Sequence, residues 1–140
     1  MIRVGQRAYL IDTNVVREMR KKERANKGVR AFFRRAAKEG IDLYLSVVTV
    51  GDLRRGVEIV RHRGDTPQAA ILEAWLAAML DEFSQNILPI DEDSGQLWGR
   101  LRVPHPEHAL DKLIAATGVI HDLTVVTRNV GDFSGTGVRV

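Results

Sequence analysis

The chain has 140 residues with a net charge of +3, 44% hydrophobic and 28% charged positions, the balance of one globular domain spanning 1–140. It contains no cysteine, which excludes a disulfide framework, a thiolate zinc knuckle and thiol catalysis. No apolar run approaches the ~18 residues a membrane-crossing helix needs, and Met1–Arg7 lacks the pattern of a secretory signal, so a cytoplasmic protein without a membrane partner is expected.

Ala8–Ile11 is a short, apolar, β-rich run that predicts a strand covered on both faces. Asp12, Thr13 or Asn14 can cap a helix over Val15–Arg20. Between Arg17 and Lys38, ten Lys/Arg stand against Glu18 and Glu23, a surplus of eight that leaves the rest of the chain acidic by five. Such a block is either a docking surface for a polyanion or a solvated, Arg-rich pair of helices. Val29, Phe32, Phe33, Ala36 and Ala37 recur at helical spacing until Gly40 stops them.

Leu43–Val47 predicts a second strand, and Val50, Leu53, Val57 and Val60 the buried stripe of the helix behind it. Thr49-x-x-Asp52 has the form of a capping box with Asp in place of Glu. Thr66-Pro67 predicts an N-cap and a proline at the first helical position, ahead of the stripe Leu72, Trp75, Leu76, Met79, Leu80 and Phe83. Ile87–Ile90 predicts a third strand, and Leu97, Trp98 and Leu101 a short helix. After the break at Val103-Pro104-His105-Pro106, Leu110, Leu113, Ile114, Thr117 and Ile120 predict another helix, and Leu123–Thr127 the last strand. Both tryptophans fall on apolar stripes, where core packing accounts for them. Alternating strands and helices indicate an α/β domain with a mostly parallel sheet of four or five strands.

Ligands of open parallel sheets bind beyond the carboxyl ends of the strands. Asp12, Thr13 and Asn14 follow the first strand, Ser46, Thr49 and Asp52 the second, and Thr127, Arg128, Asn129 and Asp132 the last. Asp111 stands near the start of the helix that feeds the last strand. Carboxylates gathered in one place repel one another, and a divalent cation offsets that cost most cheaply. An oxygen-rich donor set favours Mg²⁺, with Mn²⁺ able to substitute, and the matching chemistry is phosphodiester hydrolysis. Each acid also has a plainer role: a helix cap for Asp12 or Asp52, a solvated helix face for Asp111, and turn geometry for Asn129 and Asp132. His62, His105, His108 and His121 form no metal-binding or catalytic spacing. His62 and His121 are expected on exposed helix faces, and His105 and His108 in a proline loop near Asp111.

The segments Leu10–Val16, Ser46–Leu53, Asp111–Thr117 and Val126–Phe133 resemble a PIN domain. Their order and spacing are similar to those of VapC-type toxins of toxin–antitoxin pairs, over about Ala8–Val140. The resemblance implies a three-layer α/β/α domain, a Mg²⁺-dependent endoribonuclease site, a homodimer and a VapB-like antitoxin. By position, Asp12 and Asp111 match the two most dependable metal-binding aspartates. Asp52 stands where the family usually has glutamate, and Asn129 where many members have a fourth aspartate, a role that Asp132 could take up. The shorter reach of Asp52 and the missing charge at Asn129 weaken a second metal site before the first, so one firmly bound ion is expected.

On this reading Asp52, with Asn129 or Asp132, positions a metal-bound water that attacks phosphorus in line and leaves a 5′-phosphate. Thr13, Asn14, Thr127 and Arg128 contact the substrate or support the site, with structural hydrogen bonding at the strand ends explaining the threonines equally well, while Arg17, Arg20, Lys21 and Lys22 grip the RNA backbone. Arg54 and Arg55 extend that path or bind an acidic tail of the antitoxin. Two alternatives share the same residues: a DNA-directed metal-dependent nuclease, and a degenerate, non-catalytic domain that binds nucleic acid or a partner.

Overall fold

Apolar runs of two to five residues cannot bury themselves, so they assemble edge to edge and leave both faces to helices. The computed structural model describes residues 8–139 and does this with four strands: β1 (Ala8–Ile11), β2 (Asp42–Ser46), β3 (Ile87–Leu88) and β4 (Thr124–Val126). They form one parallel sheet in the order β3-β2-β1-β4, with Tyr9 of β1 paired to Leu43 on one side and Thr124 on the other. The helices are α1 (Thr13–Met19), α2 (Lys27–Glu39), α3 (Val47–His62), α4 (Thr66–Glu82), α5 (Glu92–Leu101) and α6 (Ala109–Ile120). Met1–Arg7, on which the expectation about a secretory signal rests, and Val140, the last residue of the expected domain, lie outside the described residues. Among the described residues no helix is long and apolar enough to cross a membrane.

The period-two alternation of strand side chains divides the core into two layers. Ile11 and Leu45 face α1–α4, packing with Val15, Val16, Val29, Leu53, Val57, Leu72, Leu76 and Met79. Leu10, Tyr44 and Val125 point the other way, onto Ile114 and Ala115 of α6 and onto Leu123 and Phe133. The expected three-layer α/β/α arrangement with a parallel sheet is therefore the observed one. Trp75 packs at the edge of the first layer, and the indole N–H of Trp98 donates to the Ala109 carbonyl at 2.8 Å, joining α5 to α6.

Local signals differ from expectation at the caps. Ser46 caps α3 by accepting from the Val48 amide at 3.0 Å, so Thr49 and Asp52 lie inside the helix and form no capping box. Asp65, not Thr66, caps α4 through the Gln68 amide at 3.2 Å, and Thr66 is the first helical residue. Strand β2 begins one residue early, at Asp42, and β3 and β4 are shorter than the apolar runs that contain them. Gly40 ends α2 in the left-handed conformation, φ 64°, as its position implied.

Gly118 is required for another reason. A Cβ there would stand 2.8 Å from Val138 Cγ2 and 3.3 Å from Val125 Cγ2, where α6 presses on β4 and the C-terminal segment. Gly118→Ala is expected to cost about 1–3 kcal/mol by overpacking, read as a lower midpoint in urea denaturation. An unchanged midpoint would show that this contact has slack.

Candidate active site

The chain runs β1, β2, β3 outward in one direction and then returns to place β4 on the opposite side of β1. The connections leaving β1 and β4 therefore diverge, and they open a crevice at the carboxyl ends of these two strands. Asp12 is the first residue after β1, and Thr127 the first after β4. They meet across that crevice: the Thr127 hydroxyl donates to Asp12 Oδ2 at 2.9 Å and accepts from the Asn129 amide at 3.0 Å. Asp12 occupies the N-cap position of α1, yet its side chain makes no capping hydrogen bond. Helix capping therefore does not explain a carboxylate that is only 3% exposed.

Burial pushes the Asp12 carboxyl above the ordinary range, and the negative charge of Asp132 adds to this. The Thr127 hydroxyl, the Thr13 amide and Arg17 act in the opposite direction. Asp111, in the first turn of α6, is also pushed up. Burial acts first, then the charges of Asp12 and Asp132, with Asp52 a weaker contributor and His108 opposing. The charges of three carboxylates from three other segments thus act on Asp111. Asp111 and Asp132 form the centre, with donor oxygens within 4.8 Å of each other, while Asp12 and half-buried Asp52 on α3 act on Asp111 through their charges. Asp132 reaches this centre from the 3₁₀ turn Val130–Phe133. Asn129 is exposed and faces the neighbouring cleft. Asp12 and Asp111, whose ionisation is disfavoured by burial and by neighbouring negative charge, offer the donor chemistry that a divalent cation neutralises, so the residues fit one.

Beside the acids, Asn14, Arg17, Glu18, Arg20, Lys21, Arg128 and Asn129 line a cleft of about 470 Å³. Its cations are held in place. Buried Glu18 accepts from the Asn26 amide at 2.7 Å, Lys21 Nζ at 3.0 Å and Arg128 at 3.3 Å. The Lys21 ammonium, then the Asn26 amide, and more weakly Arg128, keep its carboxyl below the usual range. Arg17 donates to Asn14 Oδ1 at 3.5 Å and to the Asp52 carbonyl at 3.4 Å. Sequence reasoning counted Glu18 only as a countercharge. The one local signal of its role was Lys21, one helical turn later.

Other expected site residues lie elsewhere. Thr13 is buried, and its hydroxyl is paired with that of Thr49 at 3.0 Å, tying α1 to α3. Lys22 has a left-handed backbone, φ 53°, and lines a separate hollow with Phe33 and Arg34 instead of the Arg17 cleft. Arg54 is engaged by Glu73 through two bonds of 2.8 and 2.7 Å, which leaves exposed Arg55 as the freer of that pair. His62 is exposed as expected. His121 is half-buried, with Nε2 3.5 Å from Asp91 Oδ2, because it ends α6 against the start of α5. His108 is the residue that histidine spacing missed. It precedes α6, and a ligand nitrogen of its ring lies within 4.8 Å of carboxylate oxygens of Asp111 and Asp132.

Comparison with known proteins gives this geometry a context. The family model described as PIN domain matches residues 9–136. Toxin FitB of Neisseria gonorrhoeae is 34% identical over 136 residues, covering 94% of both chains. Plasmid stability protein StbB of Pseudomonas syringae pv. tomato is 30% identical over 138 residues, again covering 94% of both. Among solved structures, FitAcB from Neisseria gonorrhoeae superposes with a TM-score of 0.80 at 34% identity, over 94% of this chain and 95% of that one. VapBC2 from Rickettsia felis shares the fold, with a TM-score of 0.72 at 18% identity over 95% and 97% of the two chains.

Proposed function

The chain belongs to the PIN-domain family, and from that premise we propose that it is a divalent-metal-dependent endoribonuclease acting as the toxin of a toxin–antitoxin pair. The observation that carries the reading is that Asp111 and Asp132, from distant segments, bring donor oxygens within 4.8 Å of each other, with Asp12 near enough for its charge to act on Asp111, beside a cationic cleft. Capping, turn geometry and solvation account for single acids but not for their convergence.

Asp12 and Asp111 are the residues that would hold the cation, Mg²⁺ or Mn²⁺, with Asp132 adjoining and Asp52 completing the acidic rim. Such a cation polarises a phosphate oxygen and lowers the pKa of water to a range useful near neutrality. The chain does the remaining work. Thr127 fixes the orientation of the Asp12 carboxylate. Arg17, Arg20, Lys21 and Arg128 hold the phosphodiester backbone in the cleft, and Glu18 keeps Lys21 and Arg128 aimed into it. Asn14 and Asn129 offer amide groups along the same wall. The printed name of FitB supports the role of toxin, and a VapB-like protein antitoxin as partner follows from the resemblance to VapC-type toxins. A cytoplasmic homodimer completes the proposal, on the resemblance to VapC-type proteins.

The test is incubation of the purified protein with single-stranded RNA, single-stranded DNA and duplex DNA, each with Mg²⁺, Mn²⁺ or a chelator. Metal-dependent cutting of RNA to 5′-phosphate ends is expected. Equal cutting of DNA would favour the DNA-directed nuclease, and chelator-insensitive binding without products would favour a binding domain.

The cleft carries a prediction of its own. Arg17→Gln and Arg128→Gln should each flatten the dependence of log affinity for single-stranded RNA on log salt concentration by about 0.7, measured in the inactive Asp12→Asn background. A slope unchanged by both would remove the cleft from the RNA path.

A further inference from the structure

An acidic pocket alone favours Mg²⁺, which takes oxygen ligands and retains several waters. This pocket has an additional member. His108 takes the left-handed conformation, φ 57° and ψ 42°, at the residue before α6. That conformation is uncommon for a side chain with a Cβ, and it leaves the imidazole beside the first turn of the helix. Nδ1 stands 3.9 Å from Asp111 Oδ2. This is too far for a hydrogen bond, but less than the sum of two metal–ligand bonds of about 2.1 Å each. A carboxylate oxygen of Asp132 completes a trio of donor atoms within 4.8 Å of one another. The trio closes on a single ion if its widest pair draws in by a few tenths of an ångström. Among the described residues, neither Asp111 nor Asp132 is paired with lysine or arginine.

We propose that His108, Asp111 and Asp132 form a mixed nitrogen–oxygen cation site that selects a first-row transition-metal ion over Mg²⁺. The inference rests on the nuclease reading of the acidic pocket and deepens it by naming the ion class. Imidazole binds transition-metal ions in preference to Mg²⁺, so one such ligand in place of an oxygen changes which ion is held at equal availability. Mn²⁺ is the member of that series whose ligand preferences lie nearest those of Mg²⁺, and it therefore gives the strictest test.

The experiment loads the full chain with Mn²⁺ alone and records pulsed electron paramagnetic resonance. Nitrogen-14 modulation from a coordinated imidazole is expected in the wild type and in His105→Gln, and its absence in His108→Gly. Glycine suits the positive φ, so this variant loses the ligand without backbone strain. In parallel, calorimetry should show the ratio of Mn²⁺ to Mg²⁺ affinity falling by about tenfold or more in His108→Gly. Absence of nitrogen modulation in the Mn²⁺-loaded wild type, or an affinity ratio unchanged by the substitution, overturns the inference. RNA cleavage in Mg²⁺ by the same preparations judges the nuclease reading separately, because a site of carboxylates alone would still cut.

Discussion

Asp12→Asn is expected to lower RNA cleavage by about a thousandfold while making the metal-free protein more stable than the wild type. The two effects have one cause. Asp12 is 3% exposed, and burial with the charge of Asp132 disfavours its ionised form. At neutral pH the folded state therefore carries a charge it holds less well than the unfolded chain does. Asparagine keeps the shape and can still accept the Thr127 hydroxyl bond, measured at 2.9 Å to the aspartate, but it removes the charge. Relief of that kind is typically about 1 kcal/mol, or about 3–5 °C in Tm for a domain of this size. The same change removes a ligand charge that a cation needs, and a thousandfold loss corresponds to about 4 kcal/mol of transition-state stabilisation. Cleavage and metal-free melting of the two proteins test this together. A variant that is equally active would dismiss Asp12 from the reaction, and one that is less stable would show that the carboxylate serves the fold.

The legible part of this molecule was the part written in period and order. Leu10 and Ile11 declare a covered strand, Leu53, Val57 and Val60 recur at the spacing of a buried face on α3, and Gly40 marks a helix end, each readable over a few residues. The acids Asp12, Asp52, Asp111 and Asp132 were nameable because a parallel sheet sends the ends of its strands to one edge. What stayed hidden depends on partners distant in sequence. Thr13 reads as a polar residue beside a site, but its partner is Thr49, thirty-six positions away, and that bond turns it inward. Glu18 reads as one acid in a basic block until Arg128, 110 positions later, folds onto it. Lys22 belongs to the basic run by composition, yet a left-handed backbone turns it into another hollow. His108 stands three residues before Asp111, but the pair means little in sequence until Asp132, the third donor, arrives from a different element.

The stability of the metal-free protein should pass through a maximum in weakly acidic solution and recover at higher pH only when a divalent cation is added. Asp12 and Asp111 have folded-state pKa values raised above those of the unfolded chain. Their contribution is complete below the ordinary aspartate range and is lost as pH rises through the raised values. Glu73 has the opposite sign. The Arg54 and Arg61 guanidiniums lower its pKa to about 2, so its contribution is present above the ordinary glutamate range and is lost as pH falls toward that value. Acid therefore breaks the α3–α4 ion pairs, and base charges the crevice. A cation that binds the folded state alone, at about a hundred times its Kd, adds about 2.7 kcal/mol, roughly 10 °C in Tm for 140 residues. That gain should grow with pH, because bound protons and the cation compete for the same oxygens. It should vanish in the double variant Asp12→Asn, Asp111→Asn, while Glu73→Gln should alter only the acid limb. Melting curves from pH 3 to 8, with and without Mg²⁺ or Mn²⁺, separate these contributions. A cation-induced gain that persists in the double variant would place the ion elsewhere on the protein and detach the crevice from metal chemistry.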